Sequence, residues 1–145
     1  MPGHFLVSHK TEPGLVIDPF HRGIMLSEVE CAERLRQIVG QNAEWDPGFL
    51  DPVTNREFLA RMLRNLKGVY LHQRDHPRAL MAIDFLVALA PEAPEERRDR
   101  GLIHYQLGHF REALTDLRFY LGARQTGPQH GPVQRLVDAL EQRLS

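Results

Sequence analysis

Apolar residues follow two rhythms along this chain. Up to residue 26 they stand in short unbroken runs, Phe5-Leu6-Val7, Leu15-Val16-Ile17 and Ile24-Met25-Leu26. The first two unbroken runs predict strands covered on both faces, and Ile24-Met25-Leu26 after Gly23 predicts a short third strand. Ser8 to Pro13 is polar and closes on Pro13-Gly14, which predicts the loop between the first two strands.

From Ser27 the rhythm becomes helical. Ser27 and Glu30 have capping-box spacing, Val29, Ala32, Leu35, Ile38 and Val39 recur at three- and four-residue steps, and Gly40 stops the run. Residues 40–53 hold two prolines and two glycines and predict a loop, pinned to the core by Trp45, Phe49 and Leu50. Thr54 and Glu57 repeat the capping box and open a helix to about His72. Asp75 or His76 then caps a helix with Pro77 in its first turn, running to about Leu89. Pro91 and Pro94 bracket the next turn, and Glu95 and Glu96 suit the start of a helix to about Leu107. Gly108 breaks it, another covers Phe110 to Leu121, and Gly122 to Pro132 predicts a connector. Val133, Leu136, Val137, Leu140 and Leu144 form the stripe of a last helix over 132–145.

The middle helices repeat. Arg74-Asp75-His76-Pro77-Arg78-Ala79-Leu80 superposes on Gly108-His109-Phe110-Arg111-Glu112-Ala113-Leu114, an offset of 34 residues that also carries Ile83 to Leu117 and Leu71 to Tyr105. A helix–turn–helix period of 34 is the tetratricopeptide signature. Ala79, Gly101 and Ala113 let paired helices approach, and Tyr70, Leu80, Tyr105 and Leu114 supply bulk. Lys67 stands where a small residue is expected, with Gly68 one place later. Two repeats are too few to stand alone, so the last helix is expected to cap them and the N-terminal segment to support them.

The expected fold class is therefore mainly α with a small N-terminal β portion, divided into 1–53 and 54–145, the repeats spanning about 54–91 and 94–122. The chain has 145 residues, 42% of them hydrophobic and 26% charged, with net charge −1. That balance gives no support to bulk nucleic-acid binding or to an anionic membrane surface. One cysteine, Cys31, excludes an intrachain disulfide and suits a reducing compartment. The most apolar stretch, Ala79 to Pro91, is broken by Asp84 and too short to span a bilayer. With no secretory signal pattern at the start, a cytoplasmic protein is expected.

The candidate chemistry lies in the first two runs. Pairing Phe5-Leu6-Val7 antiparallel with Leu15-Val16-Ile17 sets His4 opposite Asp18, with Cβ atoms roughly 5 Å apart. That spacing suits an Nδ1–H to carboxylate hydrogen bond, two thirds of a nucleophilic triad. It suits an ordinary surface hydrogen bond equally well. Only Met1, Pro2 and Gly3 precede the histidine, so no nucleophile stands upstream of it in these residues.

Gly3-His4-Phe5-Leu6-Val7 and Ile17-Asp18-Pro19-Phe20 resemble the histidine and Asp-Pro strands of the transglutaminase-like, papain-related fold. With Leu26-Ser27, the run Asn55 to Lys67 and the repeat pair, the whole chain resembles the bacterial SirB-type proteins, a transglutaminase-like domain followed by tetratricopeptide repeats and often labelled regulators. The resemblance implies that His4 is the base and Asp18 its orienting acid. It also implies a helical part before the histidine strand, where active members of the superfamily carry a nucleophilic cysteine. Cys31 follows the aspartate on a helix's apolar face and is expected to be buried and inert. The pair is then vestigial, and the chain alone is expected to lack thiol acyl transfer. An upstream in-frame segment bearing a cysteine would instead make it the C-terminal portion of a cysteine-dependent acyltransferase or hydrolase.

Two histidine pairs, His72 with His76 and His104 with His109, straddle helix ends, and neither predicts a metal site. No Gly-rich phosphate loop is present, and no cofactor is expected. Arg64 and Arg98 are repeat equivalents, and with Arg61 and Tyr105 they are the candidate peptide-binding residues of the groove. The alternative for these arginines is a solvated face balanced by Glu57, Glu95, Glu96 and Asp99. The function expected is that of a regulatory interaction module for a peptide or protein partner, with self-association through the sheet if its apolar face lies bare.

Overall fold

The computed structural model describes Met1, residues 4–8, Glu12 and residues 14–145; Gly3 and most of the loop 9–13 lie outside the described residues. Three antiparallel strands, β1 (Val7–Ser8), β2 (Val16–Asp18) and β3 (Ile24–Leu26), form a sheet in the order β1-β2-β3. Six helices follow: α1 (Glu28–Val39), α2 (Asn55–His72), α3 (His76–Leu89), α4 (Pro94–Gln106), α5 (Phe110–Ala123) and α6 (His130–Leu144). The chain divides into two compact units, Met1–Val53 and Thr54–Ser145. Among the described residues no helix is long and apolar enough to cross a membrane.

In the first unit, Ser27 accepts from the Glu30 amide while Glu30 accepts from Ser27 N at 2.7 Å, so α1 starts at a complete capping box. Val16, Leu26 and Cys31 make the buried cluster, and Leu6, Trp45 and Leu50 pack against it. Trp45 also donates to Glu28 at 2.9 Å, which ties the loop after α1 back to that helix's first turn.

The sheet departs from expectation in two ways. Val7 pairs with Ile17 and Ser8 with Val16, a register two residues from the one that sets His4 opposite Asp18. A shift of two preserves the face each side chain uses, where a shift of one would reverse it. The strands are also covered on one face only, since Val7 and Met25 are exposed while Val16 and Leu26 are buried. Strands of two or three residues hold too few positions for an apolar run to distinguish one covered face from two.

The second unit is two helical hairpins and a cap. Ala79 and Ala113 are fully buried at equivalent positions, as are Ile83 and Leu117. Gly101 sets the approach of α4 to α5: a Cβ there would stand 2.8 Å from Leu117 Cγ and 3.2 Å from the Ala113 carbonyl oxygen. Helix α6 closes the stack by burying Val133, Val137 and Leu140 with Leu117 and Tyr120. Each such side chain contributes on the order of 1.5–3 kcal/mol. The connector is shorter than expected, because α5 continues through Gly122 to Ala123 and α6 starts at His130. Pro132 stands in the first turn of α6, where its missing N–H breaks no helical bond.

Candidate functional site

The residues from Asp18 to Arg34 build one constellation. Asp18 ends β2 and caps a 3-10 turn, Pro19–His21, with Pro19 in its first turn. Its Oδ1 accepts from the Phe20 amide at 2.9 Å. The turn brings His21 back over the cap, with Nδ1 2.8 Å from Asp18 Oδ2. His4 arrives from the chain before β1, with Nε2 2.9 Å from Asp18 Oδ1. Arg34 of α1 places Nε 3.8 Å from Oδ2 and donates from an Nη to His21 Nε2 at 3.3 Å.

Asp18 is fully buried while the His21 side chain is half exposed. Burial alone would push the Asp18 carboxyl up. The contacts from His4 and His21 and the Phe20 amide together outweigh it, holding the carboxyl below its ordinary range. His4 and Asp18 therefore come together, with Nε2 rather than Nδ1 the ring nitrogen 2.9 Å from the carboxylate, and in this register His4 lies diagonal to Asp18.

Sequence reasoning missed His21 and Arg34. A signal for His21 was present: an Asp-Pro start turns the chain tightly, so the third residue after the aspartate returns beside its carboxylate. Arg34 carried no such signal, because only the packing of α1 brings it there.

His4, Asp18 and His21 offer two imidazoles and a carboxylate with ligand atoms within 4.8 Å of one another, a donor set of the kind that holds a divalent cation. Arg34 opposes this. A metal on His21 Nδ1 would require a proton on Nε2, the atom to which Arg34 already donates. Cys31, the cysteine of α1, stands apart from this chemistry as a core side chain. It is fully buried, and burial with the nearby Glu30, Glu28 and Asp18 charges pushes its thiol up.

In the second unit the candidate arginines are engaged. Arg64 donates to Glu96 at 2.8 Å, Arg98 donates to Asp99, and Lys67 bridges Glu96 and Asp99 at 2.9 and 2.8 Å. Burial would depress the Lys67 ammonium, but Asp99 and Glu96 more than offset it and hold it above its usual range. Lys67 at a small-residue position thus has a partner in the buried Glu96, and these acids are bound rather than solvated. Arg64 stays half exposed and, with Asn65, Gly68, Val69, His72 and Gln73, lines an open hollow of about 510 Å³. The Tyr105 ring lies 5.9 Å from that of Phe110 and is partly exposed, and Arg61 is partly buried on α2. His104 and His109 meet across the α4–α5 turn, Nδ1 to Nδ1 at 3.3 Å, and burial lowers the His104 pKa.

Residues 66–145 match the family model described as tetratricopeptide repeat, and residues 1–64 match that of the transglutaminase-like superfamily. The fold is also similar to the C-terminal tetratricopeptide domain of an FK506-binding protein from Plasmodium falciparum, with TM-score 0.54 and 15% identity over 81% of this chain and 74% of that one. It resembles the TPR2B domain of yeast Sti1, solved in complex with pHsp70, with TM-score 0.50 and 20% identity over 60% of this chain and 67% of that one. Together these define a tetratricopeptide-repeat protein with a transglutaminase-like N-terminal part.

Among relatives, the UPF0162 protein of Xylella fastidiosa strain Temecula1 is 44% identical over 83% of this chain and 44% of its own length. SirB1 of Salmonella typhimurium is 35% identical over 73% of this chain and 39% of its own length, and YchA of Escherichia coli K12 is 34% identical over the same shares. The chain belongs to the SirB-type family and spans about two fifths of the length of these relatives.

Proposed function

We propose that this chain is a regulatory protein-interaction module of the cytoplasm, whose repeats hold a peptide or protein segment against α2 and α4. The observation that carries it is α2. Over 18 residues this helix buries none, and it presents Phe58, Leu59, Met62, Leu66 and Val69 at 42–49% exposure. An apolar helical face of that extent is the usual mark of a partner surface. The hollow beside it joins the Val69 side chain to the Arg64 guanidinium, a pairing that suits an extended segment with an apolar and an acidic side chain. In this reading Arg61 on α2, and Arg98 and Tyr105 on α4, would add contacts to the bound segment. The test is site-specific photo-crosslinking in cells from Asn65. A discrete protein adduct lost in Val69→Asp and weakened in Arg64→Glu supports the reading. Adducts indifferent to both substitutions refute it.

A second reading is favoured by the 2.9 Å approach of His4 to the buried Asp18. The pair suits the base half of a thiol acyl-transfer or hydrolysis site whose nucleophile lies outside these residues. His4 would take the thiol proton, and Asp18 would stabilise the imidazolium until the proton passes to the leaving amine. With Cys31 buried, the chain alone is expected to turn over neither amides nor thioesters. Turnover that depends on Cys31 and is abolished by His4→Ala would overturn that expectation. Turnover gained when an upstream in-frame cysteine segment is joined to the chain, and lost in His4→Ala, would establish the pair as catalytic.

A further inference from the structure

We infer that His21 and Arg34 are positioning residues for the Asp18–His4 pair: Arg34 locks His21 in its Nδ1–H tautomer, and His21 in turn holds Asp18 with its other oxygen turned to His4. The inference rests on the reading of His4 as a base, and its argument is one of donors and acceptors.

A guanidinium has donors and no acceptor. Arg34 lies 3.3 Å from His21 Nε2, so that nitrogen must offer its lone pair. A neutral imidazole then carries its proton on Nδ1, the atom 2.8 Å from Asp18 Oδ2. Two independent neighbours thus require the same tautomer. On the other side of the carboxylate, His4 Nε2 stands 2.9 Å from Oδ1.

This assigns different work to the two rings. The lone pair of His21 points at a permanent cation, while its ring is the more exposed of the two, with side-chain exposures of 48% against 11% for His4. The contribution of His21 is to occupy Oδ2. With the Phe20 amide on Oδ1 and the Arg34 guanidinium 3.8 Å from Oδ2, the carboxylate cannot rotate away from His4 without breaking these contacts.

The test is long-range ¹H–¹⁵N correlation of the full chain labelled with ¹⁵N-histidine, recorded where both rings are neutral. The expected result is an Nδ1–H pattern for His21. Arg34→Met, which keeps the stem and removes the donors, is expected to return His21 to a tautomer mixture, and Arg34→Lys to restore Nδ1–H. The inference is overturned if His21 shows an Nε2–H pattern, if Arg34→Met leaves His21 unchanged, or if added zinc alone captures both rings in a tight complex. Should Arg34→Met fail to fold, the unsubstituted chain still decides the matter. Because the readout is spectroscopic, the tautomers can stand where acyl transfer proves absent, and can fail where it proves present.

Discussion

Substituting alanine for glycine inside a helix ordinarily stabilises a protein, by roughly 0.5–1 kcal/mol, because alanine loses less backbone freedom on folding. Two glycines of this chain are expected to give opposite signs. At Gly68, within α2, an added Cβ meets nothing within 4 Å, so Gly68→Ala should stabilise by about that amount. At Gly101, within α4, the same Cβ stands 2.8 Å from Leu117 Cγ and 2.9 Å from Cδ2, with the Ala113 carbonyl oxygen at 3.2 Å. Leu117 is fully buried, and Cγ is its branch point rather than a flexible end, so the α4–α5 contact must open. Overpacking of this kind costs about 1–3 kcal/mol, and the helix gain offsets roughly 1 of it. Gly101→Ala should therefore destabilise by about 1 kcal/mol, lowering a urea midpoint by on the order of 0.5 M. Urea unfolding of both variants, followed by far-ultraviolet circular dichroism, measures the pair. A Gly101→Ala protein as stable as Gly68→Ala would refute the idea that glycine is needed there for close approach.

Three further outcomes are expected. Lys67→Met leaves the buried Glu96 with Arg64 as its remaining cation, and should cost about 1–3 kcal/mol in the same unfolding assay. Asp18 holds its proton less tightly folded than unfolded, so unfolding takes up a proton and acid favours the unfolded chain. Its contribution is complete above the ordinary carboxylate range and lost as pH falls through the lowered folded value. Asp18→Asn should remove this acid-dependent loss of the first unit, read through the fluorescence of Trp45, the chain's sole tryptophan. A thiol-reactive dye should label Cys31 slowly in the native protein and rapidly in denaturant, and equal rates would contradict a buried thiol.

The helices were legible because their signals are local. Thr54 with Glu57, and Ser27 with Glu30, are three residues apart, and a helix start is satisfied within one turn. The hairpin contacts were legible for a related reason. A repeated environment selects a side chain of the same size and polarity twice, so Ala79 reappears as Ala113 and Ile83 is matched by Leu117, all fully buried. The end of α5 was less legible, because an exposed Gly122 breaks a helix only where nothing else continues it.

By itself, then, the sequence determined which segments are helical, where they start, which residues the repeats bury, and that a histidine and an aspartate share one side of a small sheet. Tertiary structure alone decided what that pair is. The register of short strands depends on contacts far along the chain, and two registers differing by two residues present the same faces, so no pattern separates them. Which nitrogen His4 turns to Asp18, the approach of Arg34 to His21, and the capture of Arg64, Lys67 and Arg98 by Glu96 and Asp99 follow from the placement of one element against another. Periodicity carries the direction of a side chain from its own axis. It does not carry the distance to a charge on another element, and that distance decides whether an arginine awaits a partner or already has one.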